Sequence, residues 1–81
     1  MNTDTEVLMR MNAVVADILD LPDLVLRREL SAKEIEGWDS LAHINIIVGM
    51  ENEFAVNFSL SDVKGLRNVG DFVDLVLSKL K

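Results

Sequence analysis

The chain contains no cysteine, which excludes a disulfide framework, a thiolate nucleophile and a cysteine-liganded metal. Because it has only one histidine, it cannot build a histidine-liganded metal site either, and we predict no metal. No apolar run approaches the roughly 20 residues that a membrane-spanning helix needs. We therefore expect a cytoplasmic protein that does not insert into membranes.

Basic residues are also scarce, with eight against fourteen acids and a net charge of −6. Binding to nucleic acid or to an anionic membrane needs a basic surface, so this charge argues against both functions. It suits a partner with a basic docking surface, although acidity also serves solubility alone. With 81 residues, of which 49% are hydrophobic, the chain is long enough for one domain over residues 1–81, which we expect to be monomeric.

The first half of the sequence predicts one helix followed by a long loop. A wide apolar stripe recurs at helical spacing and consists of Val7, Leu8, Met11, Val14, Val15, Ile18 and Leu19. A capping box over residues 3–6 begins this helix, with Thr3 as the N-cap, and Pro22 places its end near Leu19 to Leu21. The connection from Asp20 to Trp38 has no clean periodicity, and residues 31–34 can form one helical turn within it.

The second half predicts three more helices. The second helix begins at Asp39 or Ser40, and its apolar positions are expected to cover one side: Leu41, Ile44, Ile47, Val48, Met50 and Phe54. A short helix begins at Ser59 and ends at Gly65. Asn68 caps the last helix, and Lys79 and Lys81 lie favourably at its C-terminal end. Strand signals are absent, so the predicted fold is an all-α bundle of three main helices and one short helix with a long first loop.

The string Gly37-Trp38-Asp39-Ser40-Leu41 places a serine where the long loop becomes the second helix. The first turn of a helix has free N–H groups and the positive end of the helix dipole. A phosphate group attached to Ser40 would lie in that favourable field. The hydroxyl would also face solvent, where a modifying enzyme can reach it.

Two other roles for this serine stay open at this point. Ser40 or Asp39 can be the N-cap of the helix, a position that favours both residue types. His43 lies one turn further along the helix, which raises the possibility of a Ser-His-Asp hydrolase. That reaction needs the histidine between serine and acid, and three groups within one helical turn do not readily provide this geometry.

Three stretches of the sequence resemble the acyl carrier protein family: Asp39-Ser40-Leu41, Glu51-Asn52-Glu53-Phe54 and Asn68-Val69-Gly70-Asp71-Phe72. With the helix stripes and the long first loop, the resemblance covers most of the chain. It implies an acyl-carrier-protein-like bundle without catalytic residues and with a 4′-phosphopantetheine arm on Ser40. The implied partners are a Mg²⁺-dependent phosphopantetheinyl transferase, which attaches the arm, and acyl- or aminoacyl-loading and synthase enzymes. The thiol of the arm would hold the cargo as a thioester.

The resemblance also implies roles for residues around Ser40. Leu41 matches an exposed hydrophobic residue that partner enzymes grip. Asp39, Glu51 and Glu53 match acids that meet basic residues of partners. A further group matches the apolar face that can part to shelter an acyl chain, although ordinary core packing explains each member equally well: Ile44, Ile47, Val48 and Phe54.

Other positions depart from the fatty acid synthesis type of carrier, which usually shows Leu-Gly-x-Asp-Ser-Leu and an acidic second helix. Here Trp38 precedes Asp39, and no acid lies between Asp39 and Glu51. The string from Trp38 to Ile44 looks more like specialised stand-alone carriers, so we predict a polyketide, nonribosomal or modified-lipid pathway. The alternative function is an unmodified helical adaptor that binds a partner through an apolar groove. We expect Trp38 to pack the long loop onto the helices, or to contact the arm or a partner.

Overall fold

A computed structural model describes residues 3–80 of the chain. It contains helix α1 (Asp4–Leu19), a 3₁₀ turn (Ala32–Glu34), and helices α2 (Ser40–Phe54), α3 (Leu60–Lys64) and α4 (Val69–Lys79). No strand occurs within residues 3–80. The predicted all-α fold, with three main helices, one short helix and a long first connection, is confirmed. Lys81, which was expected to favour the end of α4, lies outside the described residues.

Helices α1, α3 and α4 begin at the caps that the sequence predicts, and of the two candidates for α2, Asp39 and Ser40, the cap is Asp39. Four side chains accept a hydrogen bond from the N–H three residues further on and are the N-caps of α1 to α4: Thr3, Asp39, Ser59 and Asn68. The 3₁₀ turn falls inside the predicted stretch 31–34, where Ser31 and Glu34 form a capping box. These local hydrogen bonds explain why the helix boundaries could be predicted closely.

The core consists of one buried side from each of the three main helices. Its fully or nearly fully buried members are Val7, Met11 and Val15 from α1, Ala42, Ile46, Met50 and Phe54 from α2, and Val69, Phe72, Val73 and Val76 from α4. Leu26 and Ile35 of the long connection are buried with them. The long connection therefore contributes to the core.

The prediction for α2 is wrong in its orientation. The buried side of this helix repeats at every fourth residue, at Ala42, Ile46, Met50 and Phe54. Three members of the predicted stripe face solvent instead, with exposed fractions of 69% for Leu41, 59% for Ile44 and 48% for Val48. Because both sides of α2 are apolar, helical spacing alone fits either orientation.

A close approach of two helices accompanies the observed orientation. A Cβ atom at Gly49 would lie 2.9 Å from Val14 Cγ1 and 3.1 Å from Ile18 Cδ1, both on α1. A glycine in mid-helix costs about 1 kcal/mol relative to alanine. The contact between α1 and α2 offsets that cost, because only a residue without a side chain allows it.

Arg28 joins the long connection to two helices. Its guanidinium binds Asp4 of α1 at 3.0 Å and Asp74 of α4 at 2.9 Å. The hydrogen bond to Asp74 is the main reason why the pKa of Arg28 lies above its already high ordinary value. The Arg28 carbonyl also accepts a hydrogen bond from the Gly70 N–H at 2.9 Å. These contacts fix the connection against the first turn of α4, next to the start of α2.

Asp62 ties the short helix to the end of α4 and predicts a pH dependence. Its carboxylate accepts hydrogen bonds from Lys79 Nζ and from the Ser59 N–H, both at 2.9 Å. These bonds, the one from Lys79 first, lower the pKa of Asp62 below its ordinary value. Such a carboxyl stabilises the fold above its unfolded-state pKa, and this contribution disappears as the pH falls through the lowered folded-state pKa.

Asp62→Asn is therefore expected to lower the melting temperature at neutral pH. The difference from wild type is expected to shrink as the pH falls below about 4, where the carboxyl of the unfolded state takes up a proton. It should disappear once the pH has also fallen through the lowered pKa of the folded state. Thermal unfolding followed by circular dichroism measures this, with Asp23→Asn at an exposed loop position as the control. A difference that stays constant across the pH range would contradict the role of the Asp62 charge.

Candidate functional site

Ser40 is the first residue of α2, and the cap of this helix comes from its neighbour. Asp39 Oδ1 accepts a hydrogen bond from the Ala42 N–H at 2.8 Å, and the Asp39 carbonyl accepts one from the His43 N–H at 2.9 Å. The Ser40 side chain is exposed and forms no hydrogen bond with any other residue in the range 3–80. The N-cap role thus belongs to Asp39, and the Ser40 hydroxyl is free to react.

A glycine turn brings the tryptophan back toward this helix. Gly37 has a φ of 85°, in the left-handed region that favours glycine, and the Asp39 N–H donates to its carbonyl at 3.0 Å. Trp38 then packs against the core beside α2. The predicted packing of the loop onto the mouth of the helices through Trp38 is confirmed.

Trp38, His43 and Phe72 form an aromatic cluster beside the serine. Trp38 Nε1 donates a hydrogen bond to His43 Nδ1 at 3.0 Å. The ring centroids lie 6.1 Å apart for Trp38 and Phe72, and 5.9 Å apart for His43 and Phe72 in an edge-to-face arrangement. Because an indole N–H can only donate, His43 Nδ1 is the acceptor in this contact.

These contacts exclude the hydrolase. A catalytic histidine accepts from the serine through one ring nitrogen and donates to the acid through the other. Here His43 Nδ1 accepts from Trp38, and the Asp39 carboxylate accepts from the first turn of α2. His43 is therefore bonded to Trp38 and does not connect the Asp39 carboxylate to Ser40 as a triad requires. Across residues 3–80, no cluster of three metal-binding side chains occurs either.

An open apolar depression lies next to Ser40, and we call it the outer hollow. It has a volume of about 530 Å³ and is lined by Ala32, Trp38, Asp39, Ser40, His43 and Ile44. Ala32 enters from the 3₁₀ turn, and sequence reasoning did not connect this residue to the site. The five-residue spacing of Trp38 and His43 was visible in the sequence, but nothing there indicated their hydrogen bond.

The four residues that were predicted to line an acyl pocket differ in their environments. Ile44 lies in the outer hollow, whereas Val48 faces solvent one turn further on. Ile47 is half-buried against the core. Phe54 is buried at the far end of α2, roughly 20 Å from Ser40 along the helix, where the Arg10 guanidinium carbon lies 4.4 Å from its ring centroid.

The predicted partner-binding residues also differ in their environments. Leu41 is exposed next to Ser40. Glu51 Oε2 accepts a hydrogen bond from the Phe58 N–H at 2.8 Å, and Glu53 pairs with Arg10 Nε at 2.8 Å. Both glutamates therefore stabilise the fold at the end of α2 away from Ser40. No helix in the described part of the chain has the length and apolarity to cross a membrane.

Comparison with known proteins adds two findings. A family model described as "Phosphopantetheine attachment site" matches residues 10–76. The solution NMR structure of a holo acyl carrier protein from Geobacter metallireducens is 40% identical in sequence, with a TM-score of 0.86 over 91% of this chain and 85% of that one. The chain therefore belongs to the acyl carrier protein family, whose members are non-catalytic carriers with a 4′-phosphopantetheine prosthetic group.

Proposed function

We propose that this chain is a single-domain carrier over residues 1–81, that Ser40 holds its 4′-phosphopantetheine arm, and that it works as a cytoplasmic monomer. The observation that carries the assignment to Ser40 is the free, exposed hydroxyl at the first residue of a 15-residue helix whose cap is Asp39. The N-terminal end of such a helix favours the negative charge of a phosphodiester. The outer hollow beside it leaves room for an attached group.

A separate transferase catalyses the reaction at Ser40. The Ser40 oxygen forms a bond to the phosphorus of coenzyme A that bears the pantetheine, the hydroxyl proton is lost, and the nucleotide bisphosphate leaves. Once bound, the arm supplies a thiol that holds an acyl or aminoacyl group as a thioester. The chain itself has no cysteine, so no other thiol competes for the cargo.

Partner enzymes are proposed to approach along the exposed apolar side of α2. Leu41, Ile44 and Val48 form this surface at i, i+3 and i+7, starting directly after Ser40. Glu51 and Glu53 stay candidates for binding basic partners, although each already has one bond within the fold. This surface is apolar, whereas the second helix of the fatty acid synthesis type is acidic. The difference supports a specialised pathway, in which polyketide, nonribosomal or modified-lipid enzymes are the partners.

The test is to incubate the wild-type protein with coenzyme A, Mg²⁺ and a broad-specificity phosphopantetheinyl transferase. We expect the intact mass to rise by one phosphopantetheine, and fragmentation of the peptides to place the added mass on Ser40. Added mass on another serine would refute the assignment. If neither this transferase nor that of the native host adds any mass, the chain acts as an unmodified adaptor.

A further inference from the structure

A second cavity lies behind the outer hollow, and we call it the inner cavity. It extends from the α3–α4 connection at Leu66 to Val69 and Phe72 in the first turn of α4. Its volume is about 30 Å³, which is room for about one water molecule. The outer hollow is larger, at about 530 Å³, and is open to solvent.

The two spaces share a wall that consists of Ala32, Trp38 and His43. The hydrogen bond of 3.0 Å from Trp38 Nε1 to His43 Nδ1 closes this wall between the loop and α2. Phe72, which is buried, supports both rings from behind. The inner cavity is also lined by Arg67, which is exposed, and by Asn68, so it is partly open on that side. A group that extends from Ser40 through the outer hollow meets the wall of Trp38 and His43 before it meets the inner cavity.

We propose that the Trp38–His43 pair is a partition that keeps the cargo of the Ser40 arm in the outer hollow and out of the helical bundle. The proposal rests on the attachment of the arm to Ser40. It makes Trp38 and His43 determinants of cargo specificity, because a long apolar chain gains no shelter in the core. Short, polar or aromatic cargoes can pack against Trp38 and Ile44 in the outer hollow, so they do not need shelter in the core.

The test compares cargoes of increasing length. The wild-type protein is loaded by the transferase with butanoyl, octanoyl or dodecanoyl amide analogues of acyl-coenzyme A, whose linkage survives heating, and intact mass verifies each product. We expect wild-type melting temperatures that agree within about 2 °C across the series. In His43→Ala, where the wall is open, we expect a rise of at least about 5 °C from butanoyl to dodecanoyl.

Two matched variants test whether the dependence on chain length requires the loss of the contact between Trp38 and His43. Ile44→Ala changes a residue that lines only the outer hollow, so its melting temperature should stay independent of chain length. His43→Gln keeps an acceptor for Trp38 Nε1 and should behave as wild type does. If His43→Ala fails to fold, Trp38→Leu provides the second way to open the wall.

Trp38 fluorescence gives an independent readout, since it is the only tryptophan. Cargo in the outer hollow should cover Trp38 and reduce its quenching by acrylamide, whereas cargo behind the partition should push Trp38 outward and increase the quenching. A wild-type melting temperature that climbs with chain length, or quenching that increases, would overturn the partition. A protein that gains no mass at Ser40 would overturn the proposed function instead, so the two failures can be told apart.

Discussion

Replacing Ser40 with alanine is expected to abolish phosphopantetheine loading completely while leaving the fold intact. The added group needs the Ser40 oxygen, and no neighbouring side chain can replace it. The fold does not need that oxygen, because Asp39 caps α2 and the Ser40 side chain is exposed. Alanine also has a higher helix propensity than serine. We expect the free energy of unfolding to stay within about 0.5 kcal/mol of wild type.

The matched control is Ser61→Ala, which removes an exposed serine from the first turn of α3. This variant should gain one phosphopantetheine as wild type does, measured by intact mass under the same conditions. Urea unfolding of both variants checks the fold. Loading of Ser40→Ala would show that another residue carries the arm, and unfolding of Ser40→Ala would show that the hydroxyl has a structural role.

The features that the sequence predicted well are local. Each N-cap uses a side chain that bonds to the backbone three residues away, so Thr3, Ser59 and Asn68 could be identified without knowing the rest of the fold. For α2 the sequence left Asp39 and Ser40 as alternatives, and the structure shows that the cap is Asp39. The family resemblance had the same basis, because its motifs lie at helix ends. The local sequence alone was sufficient to predict the boundaries of the helices and to place Ser40 at the start of α2.

The features that the sequence predicted poorly depend on contacts between residues that are far apart in the sequence. The orientation of α2 follows from the approach of Val14 and Ile18 to Gly49, and periodicity could not distinguish its two apolar sides. Glu53 was expected to be available to partner enzymes, yet it pairs with Arg10, which lies 43 residues away in the sequence. Such contacts arise only when α1 and α2 have packed together, and no spacing in the sequence reports them.

Asn12→Ala is expected to cause a large loss of stability, because Asn12 holds the long connection on α1. Its Nδ2 donates to the Leu24 carbonyl at 2.9 Å, and its Oδ1 accepts from the Leu26 N–H at 2.6 Å. Leu26 is buried, and its N–H would lose the only hydrogen-bond acceptor that it has among residues 3–80. An unsatisfied buried group costs about 1–3 kcal/mol. With the second bond included, we expect a loss of about 2–4 kcal/mol in urea unfolding, against a total on the order of 5 kcal/mol.

Two further variants test whether these two hydrogen bonds are the cause. Asn45→Ala, at an exposed position of α2, should change the free energy of unfolding by less than about 0.5 kcal/mol. Asn12→Asp keeps the acceptor for Leu26 but turns a carboxylate oxygen toward the Leu24 carbonyl, which raises the pKa of the new carboxyl in the folded state. Its destabilisation relative to wild type should therefore be largest at neutral pH and should shrink below about pH 4, where the protonated carboxyl donates to Leu24 as the amide did. If the loss is the same at both pH values, the bond to Leu24 does not hold the connection in place.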